Sequence, residues 1–536
     1  MSAFEDYLKS VGEVGNVTGS RGVIVYCSGL AGAKIWEKVI FENDTIGLVY
    51  SVGEDSTEIL LLSNVAVNAG MMVARSNETL MATVSMDALG RTVDVFGDPV
   101  DGRGDFKKSI KMNLEAPAPD IIDRVRIDEN LETGVTLIDL LIPIGKGQRQ
   151  LIIGDQKTGK TSFLLQAIAR QVQLGSACIY VAIGKKKSDL ASAAEKLAKL
   201  GALSKTIIIA APSSTPSSLI YMAPFCAMSY AEFLKTQGLD VLVVMDEISR
   251  HAKYYRELSI LSRRMPGRDG YPGDIFYMHS HLLERAGRFL VEGTESSKST
   301  KGKEGETLTL KIKGNTGSIT CLPVVETIGS DFTGYIQTNL MSMTDGHIFF
   351  DTNKFQEGLR PAVNIGISVT RVGKQTQNTI ERELAEKVRE VMFAYTKAVS
   401  VAKFGVELLE ATRRDIVAGE RLNAVFDQGN DVLVPRVIQL LLVQLLTTGF
   451  WNNSTPVEIA EHKEKIMKAY DSGKMKNLLA DVSKSIDSAL FTKFVKTVGE
   501  KAPEVAKICG IEIPVPVAPI AQPQQAQTKP VEAAQK

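Results

Sequence analysis

The fold of this chain is decided by one stretch, Gly154-Asp-Gln-Lys-Thr-Gly-Lys160-Thr161. It fits the pattern G-x-x-x-x-G-K-[ST], with the apolar run Leu151-Ile152-Ile153 before it and helix-forming residues 162–172 after it. This order of strand, glycine-rich turn and helix lets backbone N–H groups and the positive helix N-terminus face phosphate oxygens. Because both flanking elements are present, we discard a chance match in a chain with 44 glycines. The stretch predicts a P-loop that binds a nucleoside triphosphate.

The side chains of this loop have predicted roles. Lys160 is expected to reach the outer phosphates, and the Thr161 hydroxyl is expected to hold Mg²⁺. A second motif supports this, because Asp246 directly follows the apolar strand 241–245, where phosphate-binding enzymes hold the Mg²⁺ shell, here through water. Neighbouring side chains on an extended segment point to opposite sides, so we assign Glu247 a structural role and not that of a catalytic base.

Composition bounds the class of protein. The chain has 536 residues, of which 44% are hydrophobic and 23% charged, which predicts a globular protein of two to four domains. Lys plus Arg equals Asp plus Glu at 62 each, so no global field attracts nucleic acid or a charged membrane, although a local basic channel stays compatible. The five cysteines are scattered and form no C-x-x-C, which argues against a disulfide framework or a structural zinc site and fits a reducing cytoplasm.

The sequence offers no candidate for a membrane span. The N-terminus is acidic and lacks both an apolar signal core and a transit pattern. The most apolar window, 434–451, is interrupted by Pro435, Arg436, Gln439 and Gln444, which predicts a buried helix. We therefore expect contact with a membrane only through partners.

Changes of pattern along the chain predict a multidomain fold. Short β-like runs separated by Gly, Asn and Asp indicate a small N-terminal β-barrel with a short arm over residues 1–79. Alternating apolar strands and helices indicate a central α/β P-loop domain of the RecA-like type over 80–377, with a Ser/Lys/Glu/Gly insertion at about 292–313 that includes a candidate hairpin. Helical spacing indicates a C-terminal α-helical domain over 378–512, and 513–536 is a Pro/Ala/Gln tail predicted to be disordered.

Two further segments carry arginines whose role the local sequence leaves open. The Gly/Pro-rich loop 263–274 carries three arginines, and it is either a surface turn or a contact for a partner or a central rotating element. Arg371 ends the strand-like run 363–370, a place where a lone arginine is normally a salt-bridge residue.

Taken together, these segments resemble the alpha subunit of F-type ATP synthases. The resemblance runs in one collinear order from about Gly12 to Met475 and leaves out 292–313 and the tail. The matching segments are 145–162 around the P-loop, Ser262-Arg-Arg-Met-Pro-Gly-Arg-Asp-Gly-Tyr-Pro-Gly-Asp274, Leu282-Leu-Glu-Arg-Ala286, Tyr335-Ile-Gln-Thr-Asn339, Thr344-Asp-Gly-His-Ile-Phe349, Gly358-Leu-Arg-Pro-Ala-Val-Asn364 and Ser368-Val-Thr-Arg-Val-Gly373.

This resemblance implies a ring of three alpha and three beta subunits around a rotating central stalk. Each subunit contacts its two neighbours through different surfaces, and such heterologous contacts close into a ring. It implies that the alpha P-loop holds ATP or ADP with Mg²⁺ at Thr161 and Asp246 without turning it over. It also implies that Arg371 is an arginine finger that enters the neighbouring beta-type catalytic site. The residues that it places at the nucleotide are Gly154, Asp155, Gln156, Lys157, Thr158, Gly159, Lys160, Thr161, Ser162, Phe355, Arg360, Gln428 and Asn430.

Position 185 argues for a non-catalytic site. In the catalytic beta relatives a glutamate within Gly-Glu-Arg orients the attacking water, whereas ordinary alpha subunits have glutamine; this chain has Lys185. A charged lysine accepts no proton and no hydrogen bond. The P-loop departs from the family as well, which usually has Asp-Arg-Gln-Thr where this chain has Asp155-Gln-Lys-Thr158. Lys157 and Lys185 together predict either tighter anion binding or a substitute for Mg²⁺ contacts. The N-terminal arm is shorter than in the family, which predicts a reduced contact with the peripheral stalk.

Three other interpretations fit the sequence less well. A homohexameric export-type ATPase needs a carboxylate at position 185, where this chain has a lysine. A hexameric RNA translocase needs base-stacking aromatics on the barrel, for which Tyr26 and Trp36 are the candidates. A structural protein with a vestigial P-loop conflicts with the intact Lys160, Thr161 and Asp246. We therefore expect a peripheral alpha subunit at the cytoplasmic face of the inner or plasma membrane, with no nucleic-acid partner.

Overall fold

The structure is a computed structural model that describes residues 3–290, 316–402 and 409–512. Two predictions, the insertion at 292–313 and the disordered tail 513–536, lie outside the described residues.

The N-terminal part is a closed β-barrel, as predicted. Its order around the barrel is β1-β2-β5-β4-β3-β6, with antiparallel neighbours throughout. Inward-facing Val39, Phe41 and Ile59 fill its core, and Phe4 of the preceding helix packs on the outside against Ile40 and Ala74. The elements are α1 (Ala3–Val11), β1 (Val14–Arg21), β2 (Ile24–Ser28), β3 (Glu37–Phe41), β4 (Ile46–Val52), β5 (Thr57–Leu61) and β6 (Met72–Thr79).

The central part alternates strands and helices, as an α/β domain with a mostly parallel sheet requires. Its elements are β7 (Met81–Val84), β8 (Thr92–Val93), β9 (Ile110–Asn113), β10 (Asn130–Leu131), α2 (Thr136–Leu141), β11 (Ile144–Gly145), β12 (Leu151–Gly154), α3 (Lys160–Gln173), β13 (Ala177–Lys185), α4 (Lys187–Lys199), β14 (Thr206–Pro212), α5 (Ser217–Thr236), β15 (Val241–Asp246), α6 (Ile248–Leu261), α7 (Ile275–Glu284), β16 (Gly287–Leu290), β17 (Thr316–Glu326), α8 (Tyr335–Met343), β18 (Gly346–Phe350), α9 (Thr352–Gln356) and β19 (Val369–Thr370).

Within the described residues, nine strands form the central sheet. Its order is β19-β18-β12-β17-β15-β13-β14-β8, and β16 pairs antiparallel with β17. The apolar runs that predicted buried strands lie in its middle, where β12, β13, β15 and β17 are buried on both faces. Because these strands are parallel, their carboxyl ends meet at one edge, and ligands bind there in open α/β sheets.

The C-terminal part is helical, as predicted. Its helices are α10 (Thr379–Ala402), α11 (Glu410–Phe426), α12 (Arg436–Thr447), α13 (Pro456–Asp471), α14 (Lys476–Asp487) and α15 (Phe491–Cys509). The apolar window at 434–451 contains α12, whose residues from Ile438 to Leu445 are all buried. In the part of the chain that the structure describes, no helix has the length and apolar character to cross a membrane.

Candidate functional site

A cavity of about 620 Å³ opens at the carboxyl edge of the sheet, between the P-loop and the ends of β13 and β15. Among the described residues, six cationic side chains and four carboxylates line it, so the cavity favours an anion. The cationic residues are Lys157, Lys160, Lys185, Lys196, Arg250 and Arg360, and the acidic residues are Asp189, Asp246, Glu247 and Glu326.

The P-loop has the conformation that its sequence predicts. Gly159 is the N-cap of α3 with φ of 100°, a left-handed conformation that side chains other than glycine rarely adopt. Lys160 is 7% exposed, and its ammonium donates to the carbonyl oxygens of Gly154 (2.6 Å) and Asp155 (2.5 Å). Burial lowers the pKa of Lys160, although the carboxylates of the cavity oppose this shift. The lysine is therefore held over the loop, at the wall of an anion-binding cavity.

Asp155 holds the loop in place and does not face the cavity. Its carboxylate accepts hydrogen bonds from the hydroxyls of Thr327 (2.6 Å) and Thr352 (2.9 Å) and from the backbone N–H of Ser330 (3.0 Å). Burial opposes its ionisation, but these hydrogen bonds outweigh burial and lower the pKa of Asp155. The loop is thus tied to the ends of the neighbouring strands. Of the predicted loop residues, those that line the cavity are Gln156, Lys157, Gly159, Lys160, Thr161 and Ser162.

The opposite wall is a cluster of Tyr180, Lys185 and Asp246. The Tyr180 hydroxyl donates to Asp246 Oδ2 at 2.7 Å, and the Lys185 ammonium forms an ion pair with the same oxygen. The Asp246 side chain is 3% exposed and that of Lys185 is 12% exposed. Burial, together with Asp246, raises the pKa of Tyr180 well above its ordinary value. The charge of Asp246 is therefore matched by a lysine of the same chain.

A β-bulge brings Lys185 into this cluster. Tyr180 and Lys185 are an odd number of residues apart, so regular alternation along β13 would place their side chains on opposite faces. The register of β13 against β14 shifts between Ile183 and Lys185, and Gly184 between them has φ of 59°. The extra residue turns Lys185 to the face of Tyr180 and Asp246.

This pairing bears on the predicted Mg²⁺ ligands. Thr161 lines the cavity at the start of α3, as predicted. Asp246 does not fit the predicted role of anchor for a Mg²⁺ shell, because an ammonium already lies against its carboxylate. The physical reason is electrostatic, since a divalent cation at Asp246 would have to share the carboxylate with a like-charged group.

Glu247 lines the cavity beside Asp246, although its backbone is still extended, with φ of −141° and ψ of 126°. Strand alternation therefore does not keep its side chain out of the cavity, and its structural role stays a prediction. The Glu247 carboxylate accepts a hydrogen bond from the Ser249 hydroxyl and lies 3.4 Å from the Arg250 guanidinium. Burial raises the pKa of Glu247, and nearby Glu326 adds to the shift.

The residues outside the P-loop that were predicted near the nucleotide divide into two groups. Phe355, Arg360 and Asn430 line the cavity, and the Arg360 guanidinium stacks on the Phe355 ring with 3.7 Å to the ring centroid. Gln428 is buried and satisfied inside the protein, because its amide donates to the carbonyls of Gly134 (2.6 Å) and Val432 (2.7 Å). Gln428 therefore shapes the loop on which Asn430 lies.

Arg371 lies outside this cavity, directly after β19, the edge strand of the sheet. Its backbone N–H donates to the Asp345 carbonyl at 2.9 Å, and its side chain is exposed. The structure thus separates Arg371 from every other predicted site residue.

Several cavity residues were missed by the sequence analysis. Asp189, Ser192, Ala193 and Lys196 of α4 line the cavity, and their spacing of i, i+3, i+4 and i+7 marks one helix face. Tyr180 was also missed, because its place beside Asp246 depends on the register of β13 against β15, which the local sequence does not give. Arg250 and Glu326 carry no local signal either, because their places depend on tertiary packing.

A larger cavity, of about 720 Å³, lies between α3, α12 and α14. Its arginines are already paired, Arg170 with Glu132 (2.6 Å) and Arg436 with Glu381 (2.5 Å). No P-loop residue lines it, so we assign the candidate site to the smaller cavity.

Comparison with known proteins identifies the family of the chain. Residues 134–370 match the family model for the ATP synthase alpha/beta family, nucleotide-binding domain, and residues 377–500 match that for the ATP synthase alpha/beta chain, C terminal domain. The chain belongs to the ATP synthase alpha/beta family. Within the family match, the first model spans the P-loop, Lys185 and Asp246 and ends one residue before Arg371.

Individual relatives cover nearly the whole chain. A protein named ATP synthase subunit alpha from Buchnera aphidicola is 35% identical over 503 residues, which is 93% of this chain and 96% of the relative. Its namesake from Marinobacter nauticus is 40% identical over 406 residues, 76% of this chain and 77% of the relative. That from Vesicomyosocius okutanii is 39% identical over 424 residues, 79% and 81% of the two chains.

Proposed function

We propose that this chain is the non-catalytic, nucleotide-binding alpha subunit of a rotary ATP synthase that makes ATP from ADP and phosphate using a transmembrane ion gradient. The relatives named ATP synthase subunit alpha support the type of subunit. The P-loop and the net cationic lining of the cavity support ATP or ADP as its ligand.

The observation that carries the non-catalytic assignment is the group at the end of β13. Hydrolysis at a P-loop needs a group that orients or polarises the attacking water. Lys185 stands at this place and is paired with Asp246, and an ammonium has no acceptor to offer a water. Glu247 also lines the cavity, but the Ser249 hydroxyl and Arg250 engage its carboxylate. We therefore assign the cavity to nucleotide binding without turnover.

Arg371 supports a role across a subunit interface. It is exposed, lies at the edge of the sheet and is remote from the chain's own cavity. We propose that it is the arginine finger for a neighbouring beta-type site, where a guanidinium stabilises charge on the transferring phosphoryl group.

The proposed assembly has three of these chains and three beta-type subunits around a central rotating stalk. A peripheral stalk subunit is a further partner in this proposed assembly. The chain reaches the membrane only through these partners, at the cytoplasmic face of the inner or plasma membrane. A homohexameric export-type ATPase is less well supported, because position 185 offers no carboxylate.

The test is the ATP hydrolysis rate of the purified full chain, alone and mixed with a beta-type subunit. We expect no turnover by the chain alone, although it binds ATP, and turnover once the partner is added. Binding is measured by titration calorimetry on the same sample, and its folding is checked independently by circular dichroism.

Steady turnover by the chain alone would contradict the proposal and indicate a self-sufficient hexameric motor. Absence of ATP binding by a folded chain would instead contradict the assignment of the cavity.

A further inference from the structure

We propose that Lys185 supplies the cation at Asp246 that a divalent metal ion supplies in other nucleotide sites, so that this cavity binds ATP and ADP without needing Mg²⁺. The inference rests on the proposed function of the cavity as a nucleotide site and goes beyond it, because it specifies the form of the nucleotide that is bound. The observation behind it is the buried cluster of Tyr180, Lys185 and Asp246 at the cavity wall.

The hydrogen bonds of the cluster leave one donor of Lys185 for a ligand. An ammonium has three donors. One is directed to Asp246 Oδ2 and a second lies 3.4 Å from the Tyr180 hydroxyl oxygen, which accepts because its own proton is donated to Asp246. The third has no partner among the described residues, and Lys185 lines the cavity. A phosphate oxygen is the acceptor that this position fits.

The cluster is also built to stay in place. Asp246 lies opposite Ala182 in the parallel register of β13 and β15, so the two strands fix the distance between the carboxylate and the end of β13. The bulge at Gly184 is packed closely, since a side-chain carbon there would lie 2.6 Å from the Tyr254 ring. Lys185 therefore enters the cavity from a rigid position, as a bound cation would.

The balance of the remaining charges points the same way. Apart from Lys185 and Asp246, five lysines and arginines but only three carboxylates line the cavity among the described residues, so cations other than a metal face the space where phosphates bind. Bringing a divalent cation to Asp246 would place it beside the Lys185 ammonium, and like charges at such a distance repel. Metal-free nucleotide is the species that this arrangement favours.

The test compares ATP binding by the full chain in EDTA with binding in excess Mg²⁺, by titration calorimetry. For the unaltered chain we expect dissociation constants that agree within about threefold between the two conditions. For Lys185→Gln we expect ATP binding in EDTA to weaken about tenfold. In Mg²⁺ we expect the affinity to recover, because the freed Asp246 carboxylate can then hold the metal ion, and Mg²⁺ and ATP favour each other's binding. Lys187→Gln is the matched control, because Lys187 is an exposed lysine two residues away that does not line the cavity.

The outcomes separate this inference from the proposed function. ATP binding by the unaltered chain in Mg²⁺ but not in EDTA overturns the inference and leaves the nucleotide site intact. Absence of ATP binding in both conditions overturns the proposed site as well. This comparison uses the unaltered chain, so it holds even where a variant does not fold.

Asp246→Asn gives a second, opposite test. Removing the carboxylate frees the Lys185 ammonium for the phosphates, so we expect ATP binding in EDTA to be at least as tight as in the unaltered chain. If Asp246 instead anchors a metal ion, this variant loses affinity in Mg²⁺, and that loss contradicts the inference.

Discussion

Lys160 and Arg371 follow strands of the same sheet but have opposite surroundings. Lys160 follows the central strand β12, is 7% exposed and donates to two carbonyl oxygens of its own loop. Arg371 follows the edge strand β19, is exposed, and its side chain forms no hydrogen bond or ion pair within residues 3–290, 316–402 and 409–512. Residues of the chain itself thus line the cavity around Lys160, whereas the proposed function has Arg371 act on an anion that another chain supplies.

The largest expected effect is on the Arg371 side of this comparison. For Arg371→Lys, we expect ATP turnover of the assembled complex to fall by about 10³-fold or more, because a lysine cannot provide the planar two-donor contact of a guanidinium. ATP binding by the chain itself is expected to be unchanged. Hydrolysis assays on the reconstituted complex and calorimetry on the chain measure the two quantities. Equal turnover of variant and unaltered complexes would remove Arg371 from the chemistry.

Lys160→Gln is expected to show the reverse pattern. ATP binding by the chain should weaken about 10- to 100-fold, because a charge-assisted contact to phosphate contributes about 1.5–3 kcal/mol. Calorimetry measures the loss, and Lys186→Gln, at an exposed lysine that does not line the cavity, serves as the control. An unchanged affinity would mean that the P-loop is vestigial.

A third prediction concerns the buried contact between α2 and α12. Asp139 of α2 is buried, and its carboxylate accepts hydrogen bonds from the backbone of Thr133 (2.8 Å) and Gly134 (3.0 Å) and from Gln439 of α12 (2.7 Å). Burial raises its pKa from 3.8 to about 6, against the effect of these hydrogen bonds. A raised carboxyl pKa stabilises the fold below the pKa of the unfolded chain, and this stability is lost as the pH rises through the folded pKa.

Asp139→Asn should therefore remove that pH dependence. We expect the variant to be less stable by about 2 kcal/mol at pH 4, because an amide N–H replaces an acceptor, and the difference from the unaltered chain to shrink between pH 4 and 7. Urea unfolding at several pH values measures it. A difference that grows with pH has the wrong sign and would contradict the assignment.

The smallest effect is expected at the outer rim of the cavity. Phe355→Ala removes the ring on which the Arg360 guanidinium stacks, a contact that contributes about 0.5–1 kcal/mol at an exposed site, so ATP binding should weaken about twofold to fivefold. Phe393→Ala is the control, since Phe393 is 75% exposed on α10. Unchanged affinity in Phe355→Ala, or an equal loss in Phe393→Ala, would contradict a contribution of this stacked contact to ATP binding.

The cavity also shows where prediction from sequence stops. Asp155 and Gln428 were placed at the nucleotide, yet the side chain of Asp155 is used to tie down the loop and that of Gln428 is buried under it. The partners that decide these places are distant in the sequence, Thr327 and Thr352 for Asp155 and Gly134 for Gln428. Strand alternation predicts that Glu247 and Asp246 point to opposite sides, yet both line the cavity although the backbone of Glu247 is extended.

The sequence by itself determined the P-loop, the three-part architecture and the barrel, because each depends on local backbone geometry or on the period of apolar residues. Tertiary structure alone decided that Lys185 pairs with Asp246. That contact needs β13 beside β15 in one register and a bulge at Gly184 to turn the side chain. Neighbouring strands and bulges are long-range properties of the sheet, and no local pattern around residue 185 encodes them.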